Sequence, residues 1–388
     1  MTIHRIGLLV FLLLTLFLIA PAGAQDSSEV LSNFEAANTV IGQKNFTSTG
    51  CTFPGPRTLC DPYGEALGNR ILFISDSDYS RVLGFRLIPT RGAAAAFALG
   101  QIKLTTTSRG TSKTALNFPT AVAVTGTGLT TKLFVNDFSN SRVLIWNKLP
   151  IKSNSPASVV VGQPDFTSNA QVTTQSGLKL PEAGLAVAGG KLFVADRENH
   201  RIMIWNTIPI TNGTPADVVL GQPDFTTSNN TVSQTGLDEP EGLWSDGTRL
   251  VVADSLNSRV LIWNSIPTTN GAPADVVVGQ PGFTTGGSPN PPTAQSLNRP
   301  IGVTSDGTRL FVADTNNNRI LVYSPFPTAN NPTASFVIGQ ADFVHGEENA
   351  GKVGPTAQTL SNPYGLFISG KKLYVSDFNN ARVLIFGL

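Results

Sequence analysis

Residues 249–264 read RLVVADSLNSRVLIWN, and this stretch decides the fold. Two apolar runs, 249–254 and 259–264, flank a short polar turn that starts at Asp254 and ends at Arg259. The same Asp-x-x-Asn-x-Arg signature stands at DFSNSR 137–142, DRENHR 196–201, DTNNNR 314–319 and DFNNAR 377–382, with DSDYSR 76–81 as a sixth copy carrying Tyr79 in place of Asn. A second signature, Gly-Gln, recurs at Gly42, Gly100, Gly162, Gly221, Gly279 and Gly339, at intervals of 58, 62, 59, 58 and 60 residues. It continues as GQPDF at 162 and 221, and as close variants at 42, 279 and 339. Two signatures sharing one period mark an internal repeat.

Each unit decodes into four short strands, here a to d. Around 242–280 they are a Gly-Leu-Trp segment, a hairpin at Asp246-Gly247, RLVVAD, the Asp-to-Arg turn, RVLIWN, an I-P-x-x-N-G-x-P-A-D connector, and VVVGQ. Strands b and c are apolar on both faces, which a sheet wetted on one side would not tolerate. Four-stranded sheets stacked radially meet that demand. The expected fold is therefore all-β, a six-bladed β-propeller. The chain supplies a d strand at about 38–43 before the first full unit, and it stops after a c strand in the last. The N-terminal strand is thus expected to complete the last blade and close the ring.

The segment 1–24 has Arg5, an apolar run over 6–20 and Ala22-Gly23-Ala24, the pattern of a cleaved secretory signal peptide. The propeller is then residues 25–388, secreted or periplasmic, without a membrane span once the signal is removed, and a monomer is expected. In that compartment Cys51 and Cys60, the two cysteines of the chain, are expected to form a disulfide within the first d–a loop. Net charge is +1, from 27 Lys and Arg against 26 Asp and Glu, so no global field draws nucleic acid.

The units resemble NHL repeats in the Gly-Leu opening of strand a, the V-A-D end of strand b, and the Asn and Arg of N-x-R-V/I. That resemblance implies a propeller. It is less specific for function, because the family includes interaction scaffolds, RNA-binding proteins, receptor sensor domains and related peptide-amidating lyases, and because sugar-lactone hydrolases share the shape.

Sixfold recurrence assigns the pairs Asp76/Arg81, Asp137/Arg142, Asp196/Arg201, Asp254/Arg259, Asp314/Arg319 and Asp377/Arg382 to the scaffold. Asn140, Asn199, Asn257, Asn317 and Asn380 are expected in the left-handed backbone of the same turns. Trp146, Trp205, Trp263, Tyr323, Phe85 and Phe386 share one strand-c position and are expected between blades. Ligand specificity belongs where the copies disagree. Before strand a, the frame x-Pro-x-(Gly/Ala) differs in every blade, with Asp61, Phe118, Leu180, Glu239, Arg299 or Asn362 before the proline and Tyr63, Thr120, Glu182, Glu241, Ile301 or Tyr364 after it. A candidate ligand or cation site at the channel mouth therefore comprises Asp61, Tyr63, Glu182, Glu239, Glu241, Arg299 and Tyr364. Its carboxylates suit a divalent cation; no other cofactor is expected. His200 and His345, the histidines left after the signal, cannot make a three-His zinc site and are expected to be exposed. No nucleophile elbow or phosphate loop stands in a fitting strand–helix context. Three functions stay open. The first is a non-catalytic scaffold that binds a protein or cell-surface ligand through the long polar d–a loops. The second is an exported hydrolase or lyase with a cation at the mouth. The third is a purely structural component of the cell envelope.

Overall fold

A computed structural model describes residues 31–87, 89–90 and 92–388; the signal-peptide expectation falls outside these residues. Six antiparallel sheets of four strands follow one another along the chain. In the fourth blade the strands are Pro240–Ser245, Leu250–Asp254, Arg259–Trp263 and Val276–Val278. The last blade joins Pro363–Ser369, Lys372–Asp377 and Arg382–Gly387 to the early strand Thr39–Ile41. Thr39 pairs with Ile385, Val40 with Leu384 and Ile41 with Val383. The ring is closed as the repeat pattern required.

Strands b and c are buried on both faces in every blade, because each sheet is packed between two others. One apolar cluster joins Phe193, Ile202 and Ile204 to Leu250, Leu261 and Trp263, spanning blades three and four. The seam is built the same way: Ile41, Tyr374 and Val383 pack with Leu72, Ile74 and Phe85 of the first blade. The strand-c aromatics lie in these layers, and the indole N–H groups of Trp146, Trp205 and Trp263 donate to connector carbonyls at 2.9–3.1 Å.

At the axis the a strands approach so closely that their glycine positions leave no room for a side chain. A Cβ on Gly242 would lie 2.0 Å from the Ile301 carbonyl oxygen, and one on Gly365 would lie 1.8 Å from that of Tyr63. The second contact joins the last blade to the first. Register shifts after Pro62, Pro119, Pro240, Pro300 and Pro363 place a bulge at the start of these strands. The residue before each of the six frame prolines is left-handed, with φ from 46° to 58°.

Strand parity puts the d–a loops and b–c turns at one end of the ring, and the a–b hairpins and c–d connectors at the other. Cys51 and Cys60 are disulfide-bonded in the first d–a loop. Among the described residues, no helix is long and apolar enough to cross a membrane.

Candidate functional site at the channel mouth

The b–c turns frame the mouth. In blade four, Arg259 Nε donates to Asp254 Oδ2 at 2.6 Å, while its Nη2 reaches the carbonyls of Ser233 and Gly236 at 2.8 and 3.0 Å and its Nη1 that of Phe283. Asp254 Oδ1 accepts the Asp238 amide at 2.7 Å. One buried pair thus ties a d–a loop at both its ends and the loop that follows.

The other five pairs repeat this contact. Arg81 meets Asp76 and Arg382 meets Asp377 at 2.6 Å, while Arg142 meets Asp137, Arg201 meets Asp196 and Arg319 meets Asp314 at 2.7 Å. Each second nitrogen again crosses to the following loop, from Arg81 to the Leu104 carbonyl, Arg142 to Phe166, Arg201 to Phe225 and Arg319 to Phe343. Arg382 completes the circuit by reaching the Phe46 carbonyl near the N-terminus. All twelve side chains are fully buried. Arg81, Arg142, Arg201, Arg259, Arg319 and Arg382 therefore belong to the scaffold, as their recurrence implied, and offer no face to a ligand.

The left-handed residue of these turns is not the asparagine but its successor: Ser80, Ser141, His200, Ser258, Asn318 and Ala381 have φ of 49–51°. The asparagines spend their amides on the neighbouring aspartate instead, at 2.8–2.9 Å in all five copies. The left-handed residue has a further task. In five of the six blades, all but that of Ala381, its side chain accepts the amide of the pre-proline residue in the next blade, as Ser141 does for Leu180, His200 Nδ1 for Glu239 and Asn318 for Asn362. His200 is therefore half-buried and engaged, contrary to expectation. His345 is exposed and paired to Asp342 at 2.7 Å, a contact that raises its pKa.

The residues that differ between blades split the mouth into two halves. Blades three to five supply charge. Arg197, which follows Asp196 in its turn, lies among Glu182 (3.1 Å), Glu198 (2.7 Å), Glu239 and Glu241 (3.6 Å). Arg299 approaches Glu241 to 3.5 Å. Glu241 is only 1% exposed, and neither of its carboxylate oxygens makes a hydrogen bond. Burial, then the charge of Glu182, raises its pKa against the pull of both guanidiniums.

Blades six, one and two supply rings. Tyr364 stacks on Phe378 at 4.3 Å, Tyr63 lies 4.8 Å from Tyr364 and 6.0 Å from Phe118, and Phe118 lies 5.9 Å from Phe138. Tyr63 joins the halves: its hydroxyl donates to Glu182 Oε1 at 2.6 Å.

Six of the seven candidate residues meet here. Asp61 lies apart from the carboxylate cluster, beside Asp78 and the disulfide, where burial first and then Asp78 raise its pKa to about 6. Sequence reasoning missed Arg197, Phe138 and Phe378. Their signal is the residue after the turn aspartate, which reads Ser77, Phe138, Arg197, Ser255, Thr315 and Phe378 around the ring. Where it is Ser or Thr, the hydroxyl donates to the next blade's proline carbonyl at 2.6–2.8 Å. Where it is large, it reaches the mouth. Also missed was Glu65, the one carboxylate lining the channel cavity of about 170 Å³ below.

The carboxylates converge, but on a guanidinium. Among the described residues, the group of His, Cys, Asp or Glu with ligand atoms close enough to hold a metal is Cys51, Cys60 and Asp61, and its two sulfurs are bonded to each other.

The NHL repeat model matches residues 183–205 and 297–323. Those matches fall in two of the blades, and with six four-stranded sheets closed in a ring the chain is a six-bladed β-propeller carrying NHL repeats. No curated protein matches it. Similar solved structures include the PQQ-bound aldose sugar dehydrogenase of Streptomyces coelicolor, with 14% identity, 88% of this chain and 96% of that one covered, and a TM-score of 0.47. A catalytically inactive virginiamycin B lyase from Staphylococcus aureus with quinupristin has 10% identity, coverage of 90% and 98%, and a TM-score of 0.48. A nidogen/laminin complex has 15% identity, coverage of 71% and 83%, and a TM-score of 0.40. Likenesses this distant transfer no activity to this chain.

Proposed function

We propose that this protein is a non-catalytic binding scaffold, exported from the cell, that engages a partner at the channel mouth on the d–a face. The observation that carries the reading is the occupation of the carboxylate cluster by Arg197. Where a catalytic cation would need Glu182, Glu239 and Glu241 as ligands, a guanidinium of the chain already stands among them, and this weighs against the hydrolase or lyase reading. The mouth still holds four glutamates against two arginines beside the half-exposed rings of Phe118, Phe138, Tyr364 and Phe378. That combination suits a partner segment that presents a cationic side chain next to an apolar or aromatic one, the cation gaining from both carboxylate and ring faces.

Selection from a random peptide library by the intact protein tests this. Enriched peptides are expected to pair Lys or Arg with an aromatic or aliphatic residue. Phe118→Ser with Phe378→Ser should weaken their binding about tenfold or more, and Glu239→Gln should weaken the basic peptides selectively. Enrichment blind to these substitutions would defeat the proposal. So would stoichiometric divalent metal in purified protein that is lost in Glu182→Gln, which would restore the enzyme reading.

A further inference from the structure

The end of the ring opposite the mouth is electrically lopsided. On its a–b hairpins, Arg70 stands in blade one, Lys132 in blade two, and Lys371 and Lys372 in blade six. On the c–d side, Arg86 closes strand c of blade one, and Lys148 and Lys152 lie in the connector of blade two. Among the described residues of these segments the one acidic side chain is Glu35. Across the other three blades, Lys191, Arg249 and Arg309 face Asp217, Asp246, Asp275 and Asp306, and the two arginines are already paired with Asp246 and Asp306 at 2.8 and 2.7 Å. The net charge of the chain therefore conceals a basic arc over blades six, one and two.

Hydrogen bonds tie the arc together across blades one and two. Asn69 Nδ2 donates to the Gly128 carbonyl at 2.7 Å, Leu87 N–H to that of Arg70 at 2.8 Å, Arg86 Nη2 to that of Ile151 at 3.1 Å, and Lys132 Nζ to Asn147 Oδ1 at 3.1 Å. Out of the same surface stand three aliphatic side chains: Leu129, 93% exposed at a hairpin tip, and Ile151 and Leu87, 59% and 57% exposed on the connectors. No core claims them, and each lies beside cations.

We propose that this arc docks on an anionic phospholipid bilayer, the lysines and arginines against headgroup phosphates and Leu129 and Ile151 entering the headgroup–acyl boundary. Basic side chains interleaved with protruding aliphatic tips gain from both layers of such a surface. A soluble polyanion would satisfy the charges and leave the tips in water, so the bilayer is the occupant that accounts for all of them. Docking this way turns the acidic and aromatic mouth away from the membrane. The inference concerns the opposite end of the ring and does not rest on what the mouth binds.

Vesicle flotation decides it. The protein should float with phosphatidylcholine vesicles containing phosphatidylglycerol, not with phosphatidylcholine alone, and binding should fall as salt rises. Lys148→Glu with Lys152→Glu should weaken binding at least about tenfold. Leu129→Ser with Ile151→Ser should weaken vesicle binding several-fold while leaving retention on heparin unchanged. Both pairs are surface substitutions, so the melting temperature serves as the check that the fold is kept. Failure of the wild-type protein to float with anionic vesicles overturns the proposal, as does vesicle binding indifferent to the loss of Leu129 and Ile151, which would mark a polyanion site.

Discussion

Glu65 sits in the channel wall with one carboxylate oxygen accepting the Ser376 hydroxyl and the other without a partner. Burial raises its pKa from 4.5 to about 8, more than the Ser376 hydrogen bond lowers it. The folded protein therefore holds a proton that the unfolded chain has released between these two values. Stability from this group is full below the unfolded pKa and is lost as pH rises through the folded one. Glu65→Gln should leave the melting temperature nearly unchanged at about pH 5 and stabilise the protein by on the order of a few kcal/mol at about pH 8.5. Equal shifts at both pH values would show that Glu65 is ionised in the fold. Nothing in the sequence marks Glu65, since it stands in a strand whose neighbours are small and apolar. Glu182, Glu239 and Glu241 were legible because they fill a frame the other blades fill differently. Arg197 was hidden inside a turn whose sixfold recurrence pointed to scaffold alone, and only the comparison of its one variable position exposes it.

The b–c turn is the element on which the site stands. Its Asp and Arg are recoverable from sequence by repetition, but repetition does not tell which atoms meet. The asparagines suit the left-handed backbone, yet the buried aspartate claims their amides and the next residue takes the turn. Arg259→Met would leave Asp254 without its cation and the Ser233, Gly236 and Phe283 carbonyls without a donor. Urea denaturation should register a loss of about 3–5 kcal/mol. Arg299→Met, half-exposed at the mouth, should cost less than about 1 kcal/mol. A loss at Arg259 as small as that at Arg299 would show that the buried pair is dispensable and that the loops are held by packing.

Closure governs the whole molecule. Val40 is fully buried, pairs with Leu384 across the seam, and packs in the cluster that includes Phe311 and Leu373. Val40→Lys forces a charge between two sheets, and Val40→Ala removes only methyl groups. The first should cost more than about 3 kcal/mol and open the last blade to limited proteolysis, the second about 1–2 kcal/mol. Equal effects would mean that the N-terminal strand is peripheral to the ring. By itself the sequence determined the blade, the count of six and the strand that closes them, because two-faced apolar strands, turn chemistry and repeat period are local properties of the chain. Only the tertiary structure decided that carboxylates from blades three and four meet the arginine of one of them, that rings from blades six, one and two line the other half of the mouth, and that lysines from those same blades form one surface. The carboxylates and their arginine come from neighbouring turns and loops, whereas the rings of blades six and one come from opposite ends of the chain and meet because the last blade packs against the first.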